Sequence, residues 1–289
     1  MKKTALFLAL ILVCSLFAGC GASAPAAQVA ATTLPVYTLT QRILEGTEIT
    51  TTRLVTEQVS CLHDYALNTN QVKTSEVSEV IVISGAGLED FLGDLLRDHS
   101  IIDASEGVSL LPGKEHSHGD HHEDHGDPHI WLSPMNAKIM AENICAGLSQ
   151  RYPEQKEQME ANLQSLLSDL DALQAYGEES LRNLSCREIV TFHDGFAYLA
   201  QAFDLTILRS IEEEHGSEAS AKDLSDLITL VKEHDLPAIF TERNGSDAAA
   251  SVIASETGAG IYSLTTAISG DDYFTAMREN IDTLKEALQ

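Results

Sequence analysis

Apolar residues recur along the chain in two rhythms. Short continuous runs come first: Val29–Thr33, Ile49–Val55, Val80–Gly85 and Ser100–Asp103. Runs of this length, flanked by helical patterns such as Val36–Gly46, read as strands buried on both faces, which is the pattern of parallel sheets in α/β proteins. From Pro153 to Leu184 the rhythm changes. Met159, Leu163, Leu166, Leu167, Leu170 and Leu173 recur at helical spacing behind a proline suited to a first turn, so this stretch predicts one long helix. A second set of β-type runs follows at Arg187–His193, Thr206–Ile211, Ala238–Glu242 and Gly260–Leu264. Helical patterns intervene at Ser220–His234, with Ser220 as N-cap, and at Asp271–Leu288. The expected fold class is α/β. Two lobes, residues 29–152 and 185–289, each carry a mainly parallel sheet flanked by helices, and one long rigid helix over 153–184 joins them. Ligand sites in such sheets lie beyond the carboxyl ends of the strands, and His193 and Glu242 each fall at the end of a predicted strand.

The first residues do not belong to this pattern. Lys2 and Lys3 precede the apolar stretch Thr4–Gly19, which is too short to span a membrane comfortably, so residues 1–19 read as an export signal. The stretch closes on LFAGC, similar to a bacterial lipobox with Phe17 in the usual leucine's place. That similarity implies cleavage before Cys20 and a lipid on its sulfur, with residues 20–28 as a flexible tether. The expected location is extracytoplasmic, at the membrane surface.

Of 289 residues, 44% are hydrophobic, enough for substantial cores. The chain has 18 basic and 44 acidic residues; loss of Lys2 and Lys3 leaves a net charge of −28. Such a surface disfavours nucleic acid and attracts cations. After the signal and Cys20, only Cys61, Cys145 and Cys186 remain, widely spaced and without a CxxC, so neither a disulfide framework nor a thiolate zinc site is indicated.

Six of the eleven histidines stand between Gly113 and Pro134. His116, His118, His121, His122 and His125 lie among Gly, Ser and Asp without apolar periodicity, which predicts a solvated loop over 113–127 that collects metal weakly. His129 belongs instead to the ordered-looking DPHIWLSP. With His63 in CLHDYAL and His193 in VTFHDGFAYLA, it forms a set of three distant imidazoles at loops or strand ends. Three or four converging ligands of this type hold Zn²⁺.

CLHDYAL, DPHIWLSP, FHDGFAYLAQAFDL, EEEHGSEASAKDLSDLI and IFTERNGSDAAASVIASETGAGIY, in this order, resemble the successive motifs of the zinc- and manganese-binding lipoproteins of bacterial ABC importers, which have the TroA-like fold. The resemblance implies metal held between two lobes by His63, His129 and His193, an ABC permease as partner, and a monomeric, membrane-anchored carrier. Family members place an aspartate where this chain has Thr265. The substitutes are Glu242, a water molecule or a histidine of the loop, with Glu242 preferred as a negative oxygen in the same lobe; its other reading is a polar residue hydrogen-bonded at the cleft mouth. Asp64 and Asp194 are expected to orient or cap. Three imidazoles favour Zn²⁺ over the harder Mn²⁺. A metal-dependent hydrolase and a metal-binding adhesin are the rival readings. Against the first, the chain has no HExxH, no GxSxG and no phosphate-cradling glycine loop, so no enzyme activity is expected.

Overall fold

The computed structural model describes residues 27–59, 62, 65–113, 126–211, 220–243 and 245–289. In the first lobe, β1 (Val29–Ala31), α1 (Leu34–Ile43), β2 (Thr51–Arg53), α2 (Thr69–Val77), β3 (Val80–Ile83), β4 (Ser100–Asp103) and α3 (Pro134–Arg151) follow one another, with a 3₁₀ turn at Ile130–Leu132 before α3. The rod α4 (Lys156–Ser180) leads to the second lobe: β5 (Glu188–Thr191), α5 (Ala197–Ala202), β6 (Thr206–Ser210), α6 (Ala221–Glu233), β7 (Ala238–Glu242), α7 (Ala248–Thr257), β8 (Gly260–Leu264) and α8 (Tyr273–Leu288).

Each lobe holds a four-stranded, wholly parallel sheet, ordered β2-β1-β3-β4 in the first and β6-β5-β7-β8 in the second. The strand order reverses between β1 and β3 and again between β5 and β7. These are the points where parallel sheets open a crevice at their carboxyl ends. A glutamate stands at each. Glu89 is buried and accepts hydrogen bonds from Thr32 Oγ1 (2.6 Å), Ser84 N (2.7 Å) and Gly85 N (3.0 Å) just past β1 and β3. Glu242 closes β7.

The rod is amphipathic, burying Met159, Leu166, Leu170, Leu173 and Gly177 along one stripe. A Cβ on Gly177 would lie 2.1 Å from Phe203 Cε1, so the missing side chain is what lets the rod lie against the second lobe. The main core runs without a break from Val29 and Val80 of the first sheet, through the rod, to Phe240, Leu264 and Ile281 of the second lobe. Polar ties reinforce it. The segment after β8 accepts or donates hydrogen bonds to the first lobe at Ile268 O (from Leu34 N, 3.2 Å), Gly270 O (from Arg53 Nη1, 2.8 Å) and Ser269 Oγ (to Val59 O, 2.9 Å). Trp131 Nε1 donates to Thr266 O at 2.7 Å, and Tyr273 OH donates to Trp131 O at 2.6 Å.

Candidate metal centre

His129 is set by the two residues before it. Pro128 fixes the turn, and Asp127 Oδ1 accepts from both His129 N (2.9 Å) and His129 Nδ1 (2.8 Å). Both side chains are buried. With its Nδ1 proton engaged by the carboxylate, a neutral His129 ring presents its lone pair on Nε2.

That nitrogen faces His193, two residues past the end of β5. The Nε2 atoms are 3.3 Å apart and the rings are nearly perpendicular, with an interplanar angle of 85°. Gly195 lies against the pair, its missing Cβ 2.6 Å from His193 Nε2 and 2.8 Å from His129 Nε2, so no side chain separates the rings. Two lone pairs cannot face each other at this distance without a proton or a cation between them. Two nitrogens each about 2.0–2.1 Å from a tetrahedral zinc are separated by about 3.3–3.4 Å. The spacing fits a shared ion.

Behind His193, Glu242 Oε2 lies 3.6 Å from Nδ1, the ring nitrogen that does not face His129, and Oε1 accepts from Thr266 Oγ1 at 3.4 Å. Each imidazole thus has a carboxyl group at Nδ1 and its partner ring at Nε2, an arrangement that orients metal-binding histidines. Burial pushes Glu242 up to about 8, against a smaller downward pull from the Thr266 hydroxyl. Thr265, where the resemblance implied an aspartate, is occupied otherwise. Its N–H donates to Asn280 Oδ1 (2.8 Å), its carbonyl accepts from Asn280 Nδ2 (2.7 Å), and its hydroxyl accepts from Ala267 N (3.1 Å).

Among the described residues, no third His, Cys, Asp or Glu completes a metal-holding group with the two imidazoles. His63 lies outside the described residues, as do Cys20, Cys61, Asp64, His116, His118, His121, His122 and His125. Just beside His63, Leu62 is in the core, and Tyr65 donates its N–H to Leu62 O and its hydroxyl to Glu57. Two surface concavities, of about 330 and 480 Å³, are lined elsewhere, around Cys145 and around Lys73.

The sequence reading did not single out Asp127 or Thr266. Asp127 carried a local signal: an aspartate two residues before a histidine, with proline between, is placed to accept that residue's N–H in an Asx-type turn. Thr266 carried none, because its contact depends on the register of β7 with β8.

Glu242 and Glu89, the latter pushed up to about 7 chiefly by burial, bind protons more tightly folded than unfolded. The metal-free protein therefore loses stability as pH rises from about 5 to about 8. Glu242→Gln is expected to remove about 2–4 kcal/mol of that loss, leaving the share due to Glu89. Denaturant unfolding of both forms at pH 5 and pH 8 checks this; equal slopes would contradict the burial of an ionisable Glu242.

The model of a family described as "ZnuA: Zinc-uptake complex component A periplasmic" matches residues 29–287. The chain is 30% identical, over 311 residues, to the zinc-binding lipoprotein AdcA of Streptococcus pneumoniae serotype 4; the match covers 99% of this chain and 61% of that protein. It therefore spans about three-fifths of the length of that relative. A crystal structure of ZnuA, 27% identical, superposes with a TM-score of 0.80 over 91% of this chain and all of the other. The crystal structure of Zn(II)-bound AdcA from Streptococcus pneumoniae, also 27% identical, gives 0.76 over 90% of this chain and 57% of that one.

Proposed function

This chain belongs to the family of periplasmic zinc-uptake components typified by ZnuA, and from that premise we propose that it captures zinc outside the cytoplasm and delivers it to the permease of an ABC importer. The observation that carries the proposal is the meeting of His129 and His193, Nε2 to Nε2 at 3.3 Å, with a carboxyl group at each Nδ1. His63 is proposed as the third imidazole. Glu242, the sequence's preferred fourth ligand, sits at Nδ1 of His193, and this placement supports the orienting role over direct ligation. The fourth position then falls to water or to a loop histidine.

Carriage suits this arrangement better than catalysis. The carboxyl groups of Asp127 and Glu242 face Nδ1 atoms, so neither stands on the Nε2 side as a general base for a metal-bound water. Zinc is the proposed cargo, since imidazole ligands suit it better than Mn²⁺. The continuous core and the ties across the lobes resist a wide hinge, so release is proposed to come from rearrangement of ligand-bearing loops. Attachment to the membrane is proposed through a lipid on Cys20, which the mass of the mature N-terminal peptide tests. Among the described residues no helix is long and apolar enough to cross a membrane.

The deciding experiment is zinc and manganese titration of the soluble form, with and without Glu115–Gly126. One tight zinc site is expected in both forms, with weaker sites only where the loop is present, and manganese at least about tenfold weaker at the tight site. Loss of tight binding on deleting the loop would overturn the division between the cleft and the loop. Absence of any tight site would overturn the carrier reading.

A further inference from the structure

His129 is reached from the first lobe, yet its position is referenced to the second. Tyr198 stands on α5, five residues beyond His193, and is 1% exposed. Its hydroxyl accepts from Leu111 N at 2.9 Å and donates to Asp127 O at 2.9 Å. Asp127 N in turn donates to Leu111 O at 2.9 Å. Beyond this bond the chain runs close, for a Cβ on Gly113 would lie 3.0 Å from Gly126 C and O. One phenol thus bridges the two stretches of chain on either side of 114–125, and the second of them carries the carboxylate that holds His129. Downstream of His129, Trp131 is tied to Thr266 and Tyr273 of the same second lobe. The segment bearing His129 is pinned to the lobe of His193 on both sides.

We propose that Tyr198 is a positioning residue: through the Asp127 backbone, its hydroxyl sets the His129 imidazole against His193 so that both Nε2 atoms address one ion. The inference rests on the metal-site reading above and adds a residue to it. Without the hydroxyl, Leu111 N and Asp127 O lose a buried partner, and Asp127 is freer to shift. A shift there moves the His129 ring directly, because Asp127 Oδ1 holds both the ring's Nδ1 and the His129 backbone N–H.

The test is Tyr198→Phe, which keeps the ring and removes only the hydroxyl. Zinc affinity is measured by competition with a chelator, and Co²⁺ serves as a spectroscopic substitute on the folded fraction. The expected result is zinc binding weaker by about 10–100-fold, the range for partners that orient metal ligands, together with altered Co²⁺ d–d bands. Affinity within twofold of wild type overturns the proposal, as does weaker binding with an unchanged cobalt spectrum, which marks general loosening rather than lost ligand geometry. His129→Ala and His193→Ala run beside it. If they retain wild-type affinity, the site reading fails and this inference with it; if they lose binding while Tyr198→Phe does not, only this inference fails.

Discussion

His129→Ala and His193→Ala are each expected to weaken zinc binding by on the order of 10²–10³-fold. Structural zinc sites with four ligands bind with about 10–16 kcal/mol, so one ligand accounts for about 3–4 kcal/mol, and each 1.4 kcal/mol is a factor of ten. The two variants should differ in their metal-free stability. Removing His129 strips the buried Asp127 carboxylate of one of its two donors, losing Nδ1 at 2.8 Å and leaving only the backbone N–H. That costs about 1–3 kcal/mol. Removing His193 leaves Glu242, which burial already favours in its neutral form, so the penalty is smaller. Calorimetric titration with zinc and denaturant unfolding of the metal-free forms read both quantities. Binding within about fivefold of wild type in either variant would break the claim that the two rings share an ion.

Much of the fold could be read from apolar rhythm, and its errors have local causes. Strands β7 and β8 fall on the predicted runs, and Ser220 caps α6 by accepting from Asp223 N, as its position before the helical pattern implied. The run Ile49–Val55 yields only a three-residue strand, Thr51–Arg53, although Leu54 N and Val55 N still donate to Ala31 O and Thr32 O beside it. Pro153 begins a 3₁₀ turn rather than the rod itself, which starts at Lys156. Within the centre, the approach of His129 and His193 was foreshadowed by their motifs. The nitrogen that Glu242 faces was not, since side-chain direction depends on packing between strands rather than on order along the chain. A hydroxyl at Thr265, where the resemblance implied an aspartate, was visible in the sequence; the contacts of that residue were not. Asn280, fifteen residues on and about two turns inside α8, holds the Thr265 backbone on both sides. No periodicity marks a buried asparagine as a bracket for a distant loop.

Trp131→Ala is expected to destabilise the whole chain, not one lobe, by about 3–5 kcal/mol, the usual cost of truncating a large buried aromatic. Trp131, the chain's sole tryptophan, is fully buried. Its indole crosses from the 3₁₀ turn before α3 to Thr266 of the second lobe, and its carbonyl receives the Tyr273 hydroxyl. Alanine would leave a cavity where the lobes meet and a buried carbonyl without its donor. Because the main core passes unbroken through the rod into both sheets, neither lobe keeps a separate core of comparable size to survive alone. The expected calorimetric trace is one transition before and after substitution, displaced downward by about 10 °C. His129 should feel the change too, since its ring lies 5.4 Å from the indole. Two resolved endotherms with only one of them displaced would mean that each lobe folds around its own interior, and the rigid frame proposed to aim His129 and His193 at one ion would then lack its physical basis.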